Sequence, residues 1–248
     1  MKIQKWLMPA VLLLMWIGAS AASLTNPLLI PTPWQVMSLM LKPSIWVSVG
    51  GDVATTSLRL FVGFILGGFV GVCAGVAMGR SSRVYDALEF LVDFFRSIPV
   101  AALFPLFVVF FGIGDLSKIV TTSWSTALVV LVHTMYGVRT CSHVRERFAR
   151  TIGATQLQVL ATIVLPEASP SILAGLRTGL GIAMIVVVMT EMFLGTTSGL
   201  GSRIFNAALL YKTPELYFTI GITGILGYTL NQLFVKLETH LLRWKYTQ

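Results

Sequence analysis

SLRLFVGFILGGFVGVCAGVAMG, residues Ser57 to Gly79, holds one charged side chain, Arg59, in 23 positions. A helix needs about 20 mostly apolar residues to cross the hydrocarbon of a bilayer, so this stretch reads as a membrane span. Gly63, Gly67, Gly71, Gly75 and Gly79 recur every fourth residue, which sets five positions without side chains along one helical face. Another helix can approach closely there. That neighbour is either a helix of the same chain or a second subunit, and the glycines are packing positions, not ligand contacts.

Working outward, the same pattern recurs. The chain has 248 residues, 55% hydrophobic and 11% charged, against roughly 25% charged in a soluble domain. The expected fold class is an all-α polytopic membrane protein with about six transmembrane helices: 7–24, 57–79, 99–111, 119–137, 171–194 and 215–235. It forms a single membrane domain over 1–248, with core spans over about 57–235. Six spans of about 20 residues take half the chain, so no soluble catalytic domain fits. Pro27, Pro31, Pro33 and Pro43 mark Asn26 to Pro43 as an external, non-helical connection. Val84 to Ser97, with Asp86, Glu89, Asp93 and Arg96, reads as an amphipathic interfacial piece. Pro105 marks a kink in the third span.

The net charge of +8 reports topology, not nucleic-acid binding, because the basic residues are scattered in short segments between apolar runs. With both termini in the cytoplasm, thirteen Lys and Arg fall on the inner side and five on the outer, as the positive-inside rule requires. The first run allows two readings. A cleaved signal ending near Gly18 to Ser23 leaves five spans, whereas an uncleaved anchor gives six; the run is longer than a typical signal core, which favours the anchor. Cys73, Cys141, His133, His143 and His240 have no metal-ligand spacing, so no metal site is expected, and His133 reads as a hydrogen-bonded core residue.

The internal connection, 138–170, carries the functional pattern. Arg147-Phe148-Ala149-Arg150-Thr151-Ile152-Gly153-Ala154 is followed, nine residues after the glycine, by Ile163-Val164-Leu165-Pro166. Gly153 has the backbone freedom for a tight bend and Pro166 suits a helix entry. The segment reads as a helix–turn–helix outside the hydrocarbon, whose Phe148, Ile152, Leu157 and Leu160 can fill an apolar groove on a soluble partner. The alternative is a solvated basic loop.

This segment resembles the cytoplasmic coupling motif of ATP-binding cassette (ABC) importer permeases, Glu-Ala-Ala-x3-Gly-x9-Ile-x-Leu-Pro: Ala149, Gly153, Ile163, Leu165 and Pro166 match at the family spacing. Arg147 and Phe148 stand where the motif has Glu and Ala, with Glu146 one residue earlier. Ile30-Pro31-Thr32-Pro33, Arg96-Ser97-Ile98-Pro99, Phe111-Gly112-Ile113-Gly114, Glu191-Met192 and Ser198-Gly199-Leu200-Gly201 resemble, in order, signatures of the nitrate, sulfonate and taurine subfamily.

The resemblance implies a type I importer permease fold in the bacterial inner membrane. It implies a homodimer of permeases, two cytoplasmic ABC ATPase subunits docked through Phe148, Ala149, Gly153, Ala154, Ile163, Leu165 and Pro166, and a periplasmic solute-binding protein. Translocation by alternating access of a small organic or inorganic anion, of the sulfonate, taurine, nitrate or bicarbonate class, is the implied function. The chain has no Gly-x4-Gly-Lys-Ser/Thr loop, so it is expected to bind no cofactor and to be no enzyme; ATP and Mg belong to the partner ATPase. The alternative is an ATP-independent secondary transporter or channel, which needs intramembrane ionisable groups and often inverted repeats. Glu191, Arg177 and Arg59 are the candidate pathway or gate residues; for Glu191 a structural pair with Arg203 or Arg59 is favoured, and Arg177 is expected to snorkel.

Overall fold

The computed structural model describes residues 4–21, 29–193 and 197–243. Among them there is no strand. The helices are α1 (Gln4–Ala21), α2 (Pro33–Met40), α3 (Pro43–Arg80), α4 (Ser82–Ser97), α5 (Val100–Phe111), α6 (Asp115–Arg139), α7 (His143–Thr151), α8 (Gln156–Val159), α9 (Leu165–Phe193), α10 (Leu200–Leu209) and α11 (Thr213–Leu241). A π-helical turn, Leu160–Val164, joins α8 to α9.

The prolines of the first connection start helices more than they break them. Pro33 is the first residue of α2, where a missing N–H is no loss. The Thr32 hydroxyl accepts from Gln35 N, and the Gln35 side chain accepts from Thr32 N at 2.9 Å, a reciprocal capping box. Pro43 then opens α3. The expected non-helical segment 26–43 is therefore helical over Pro33–Met40, and Pro27 lies outside the described residues.

Four described helices are long and apolar enough to cross a membrane: α3, α6, the stretch Gln156–Phe193 and α11. The fifth candidate is a broken one, α4 and α5 bent by 101°. The span expected at 99–111 is thus a 12-residue helix. At about 18 Å it cannot cross about 30 Å of hydrocarbon alone. The span expected at 57–79 is the later part of a 38-residue helix. The expected first span, 7–24, falls on α1 of 18 residues, and its residues 22–24 fall outside the described residues.

The chain packs as two compact units, one of Met1–Thr56 with Glu191–Leu226, the other of Ser57–Thr190 with Gly227–Gln248. In the first, Val36, Val49, Leu200 and Phe218 form a buried apolar cluster, with Trp46 edge-on to Phe218 and Trp16 stacked on Tyr217.

In the second unit the glycine stripe of α3 faces α6 of the same chain. A Cβ on Gly63, Gly67, Gly71, Gly75 or Gly79 would meet Thr122, Thr126, Val130, Thr134 or Val138 respectively at 2.6–2.8 Å, and on Gly67 it would lie 2.3 Å from the Ser123 carbonyl. Two rows of four-residue period run against each other, close enough that only glycine fits. Another face of α6 receives α9: a Cβ on Gly175 would meet that of His133 at 2.5 Å, and the Ser171 hydroxyl donates to the His133 carbonyl at 2.7 Å. Between them α6 buries Thr121, Thr122, Ser125 and Thr126. Each hydroxyl donates to the carbonyl four residues earlier at 2.6–2.8 Å, so burial strands none of these four hydroxyls.

Candidate functional site

The connection 138–170 folds as a closed hairpin. After α6 ends, the Ser142 N–H donates to Glu167 Oε1 at 3.2 Å and Cys141 Sγ lies 3.5 Å from the Val164 carbonyl, so entry and exit are tied together. Burial, and then the nearby Glu167 and Glu146 charges, push the Cys141 thiol up to about 11. It stays neutral and inert at neutral pH.

The turn explains the motif residues. Gly153 N donates to Arg150 O at 3.0 Å and Ala154 N to Ala149 O at 3.0 Å, while Gly153 has φ +87°. This is a Schellman cap: the 6→1 and 5→2 bonds need a left-handed residue after the helix, and a small apolar contact joins the flanking positions. Ala149, buried, and Ala154, packed against the same cluster, supply that contact. Thr155 then caps α8 through a second capping box with Gln158. In the π-turn, Leu165 N reaches back five residues to Leu160 O. Pro170 has no N–H for the Pro166 carbonyl, and the Ser169 hydroxyl donates to it instead at 2.8 Å.

The hairpin has an inner and an outer face. Val138, Cys141, Ala149, Val159, Val164 and Ala168 form its buried core, with Leu160 and Ile163 packed against it. Leu165 is half-buried, and Gly153 and Pro166 are exposed. Leu160, expected to face a partner, is half-buried against this core. The outward apolar side chains are Phe148 (67% exposed), Ile152 (72%), Leu157 (77%) and Val144 (77%). Val144, Phe148 and Ile152 follow an i, i+4, i+8 stripe; Val144 escaped the sequence argument although the spacing carried it. Glu146 is buried and accepts from Arg80 Nη1 at 2.7 Å, so the one carboxylate near the motif's acidic position points inward.

The other candidate residues occupy separate settings. In the first unit, Glu191 is 1% exposed. Its carboxylate accepts from the Thr56 hydroxyl at 2.9 and 3.0 Å and from Gly201 N at 3.0 Å. Leu200 N donates to the same Thr56 hydroxyl at 2.9 Å, and Gly199 N to Asp52 Oδ1 at 2.8 Å. Three successive N–H groups at the start of α10 thus meet two carboxylates and a hydroxyl, which satisfies its orphan donors and complements its dipole. Gly199, at φ +113°, has no room for a Cβ, which would lie 2.5 Å from the Glu191 carboxyl. Arg203, one of two cations expected for Glu191, instead binds Asp52 at 2.6 Å and Glu215 at 2.8 Å. Asp52 and Thr56 were not legible as site residues, since nothing local marks them.

In the second unit, Arg59 is buried and meets Asp115 Oδ1 at 2.7 and 2.9 Å. Arg177 donates to Asn231 Oδ1 at 3.2 Å and lies 3.8 Å from Glu238, at the edge of a cavity of about 170 Å³ lined also by Leu180, Met184 and Gly227.

Known proteins resemble this chain over most of its length. The taurine transport system permease protein TauC of Escherichia coli is 31% identical over 95% of this chain and 87% of its own length. The putative aliphatic sulfonates transport permease protein SsuC of Bacillus subtilis is 28% identical over 96% and 86%. Among solved structures, an inward-facing MetNI methionine ABC transporter superposes with a TM-score of 0.70 at 22% identity, over 80% of this chain and 98% of that one. Residues 63–242 match the family described as "Binding-protein-dependent transport system inner membrane component". The closed hairpin, the glycine-zipped helices and these likenesses converge: the chain belongs to the binding-protein-dependent transport system inner membrane components, as a multi-pass permease of an ABC importer.

Proposed function

We infer that this permease imports a small organic anion of the sulfonate and taurine class, driven by ATP hydrolysed on a partner. Two copies of the chain enclose the pathway, both termini lie in the cytoplasm, and a periplasmic solute-binding protein delivers substrate. The hairpin 138–170 is the cytoplasmic docking element, received by one ATPase subunit per copy. Closure of the ATPase pair on ATP moves the hairpins and switches the bundle between inward and outward access. Phe148, Gly153 and the stretch to Pro166 carry that coupling, and Glu191 with Thr56 and Gly199 belongs to the periplasmic end.

The observation that carries this reading is the exposed apolar stripe of α7 on a hairpin with its own closed core. An apolar stripe on a rigid support outside the hydrocarbon suits helix-in-groove docking. The substrate class rests on the transport names of TauC and SsuC.

The test is reconstitution. Tagged permease is co-expressed with candidate ATPases, and the complex is placed in proteoliposomes with ATP inside and binding protein outside. Uptake of labelled taurine or an alkanesulfonate that needs both ATP and binding protein supports the reading. Uptake by the permease alone, without nucleotide, overturns it in favour of a secondary transporter.

A further inference from the structure

The outward face of the hairpin carries charge of one sign only. Between residues 138 and 170 the carboxylates are Glu146 and Glu167. Glu146 is buried against Arg80 at 2.7 Å, and Glu167 accepts from Ser142 N at 3.2 Å and lies 3.7 Å from Arg145. Both acids are thus engaged within the chain. Arg147 and Arg150 are exposed, and among the described residues no carboxylate lies within ion-pair range of either. With His143 and Glu146 they line a cavity of about 200 Å³ on one flank of α7. The Glu146 charge that also borders it is balanced by Arg80.

Arg147 precedes Phe148 on the exposed side of α7, so a partner that receives Phe148 and Ile152 and wraps the flank of this helix places its own side chains next to two unneutralised guanidiniums. Leaving them desolvated and unpaired is unfavourable, and a cation opposite them more so. We propose that the ATPase surface which receives this hairpin is an apolar groove with Asp or Glu side chains on its rim, paired with Arg147 and Arg150. The proposal rests on the docking role assigned to the hairpin and adds the sign and position of the charges that select the partner. Specificity then follows from repulsion as well as attraction.

The experiment uses the permease in nanodiscs and the ATPase that co-purifies with it, with affinity measured across a salt series. The double variant Arg147→Glu, Arg150→Glu is expected to bind on the order of tenfold more weakly and to lose the salt dependence of the wild type. Arg147→Lys, Arg150→Lys should retain both. Reversing the charge of the acidic ATPase residue whose own Cys substitution forms a disulfide with Arg147→Cys should restore binding to the Glu variant. If the Glu variant fails to insert, the neutral Arg147→Gln, Arg150→Gln variant and the wild-type salt series decide. Binding within about twofold of wild type, with unchanged salt dependence, overturns the acidic rim. If Phe148→Asp also leaves binding unchanged, the docking role itself fails, so the two failures are distinguishable.

Discussion

Arg80, the last residue of α3, holds Glu146 of α7 through a 2.7 Å hydrogen bond that is largely withdrawn from water. This bond joins the glycine-lined helix directly to the hairpin over 138–170. A displacement of α7 relative to α3 would strain this charge pair as well as the apolar core beneath it.

Breaking that pair should loosen the hairpin more than it unfolds the bundle. Glu146→Gln or Arg80→Gln is expected to cost about 2 kcal/mol, the range for a hydrogen bond to a charged group. Proteolysis between residues 143 and 155 should accelerate in nanodiscs, and ATPase stimulation by loaded binding protein should fall. Unchanged protection in both variants would count against a structural role for the pair.

The Schellman turn makes a graded series. No neighbour lies within 4 Å of a Cβ at Gly153, so the penalty comes from its φ of +87° alone. Gly153→Asn should be tolerated best, Gly153→Ala should lose about 1 kcal/mol, and Gly153→Val more. Thermal melting of the permease–ATPase complex should rank the variants in that order.

The glycine stripe predicts a sharper contrast. Gly67→Ala sets a Cβ 2.3 Å from a backbone carbonyl, which forces α3 and α6 apart and should destabilise by about 1–3 kcal/mol. Gly224→Ala meets nothing within 4 Å and should leave the amount of inserted, monodisperse protein unchanged. Fluorescence-detected size-exclusion profiles of the two variants would show the difference.

Gly199 and Glu191 should behave as one element. Gly199→Ala adds a Cβ at 2.5 Å from the Glu191 carboxyl in a backbone region reserved for glycine, while Glu191→Ala strands the Thr56 hydroxyl and the Gly201 N–H. Each is expected to reduce uptake strongly, and the double variant to lose much less than the two losses combined. Additive losses would mean that the groups act independently.

Cys141 gives a pH signature. The thiol is held protonated in the folded hairpin up to about 11, against an ordinary value of 9.0. Because folding raises this pKa, its contribution is fully present below pH 9 and is lost as pH rises through 11. In a Cys73→Ala background, maleimide labelling of Cys141 should stay slow at pH 8 and rise steeply above pH 10. Rapid labelling at pH 8 would contradict a buried, neutral thiol.

Amino-acid order alone was enough to establish a helical membrane protein and the place of the hairpin over 138–170. Apolar run length, the four-residue glycine period and the Ala149, Gly153, Leu165, Pro166 spacing are local properties, and helix formation, capping and bilayer crossing respond to local properties. The same locality misled at 26–43, where prolines that open helices resemble prolines that forbid them, and at 99–111, where hydropathy cannot see a 101° bend. Only the tertiary structure decided that the glycines face α6, that Glu146 turns inward to Arg80, and that Arg203 joins Asp52 and Glu215. Those outcomes depend on which side chains meet across many residues of intervening chain. A charge in a membrane protein settles wherever its desolvation is best offset, and no short window of sequence contains that partner.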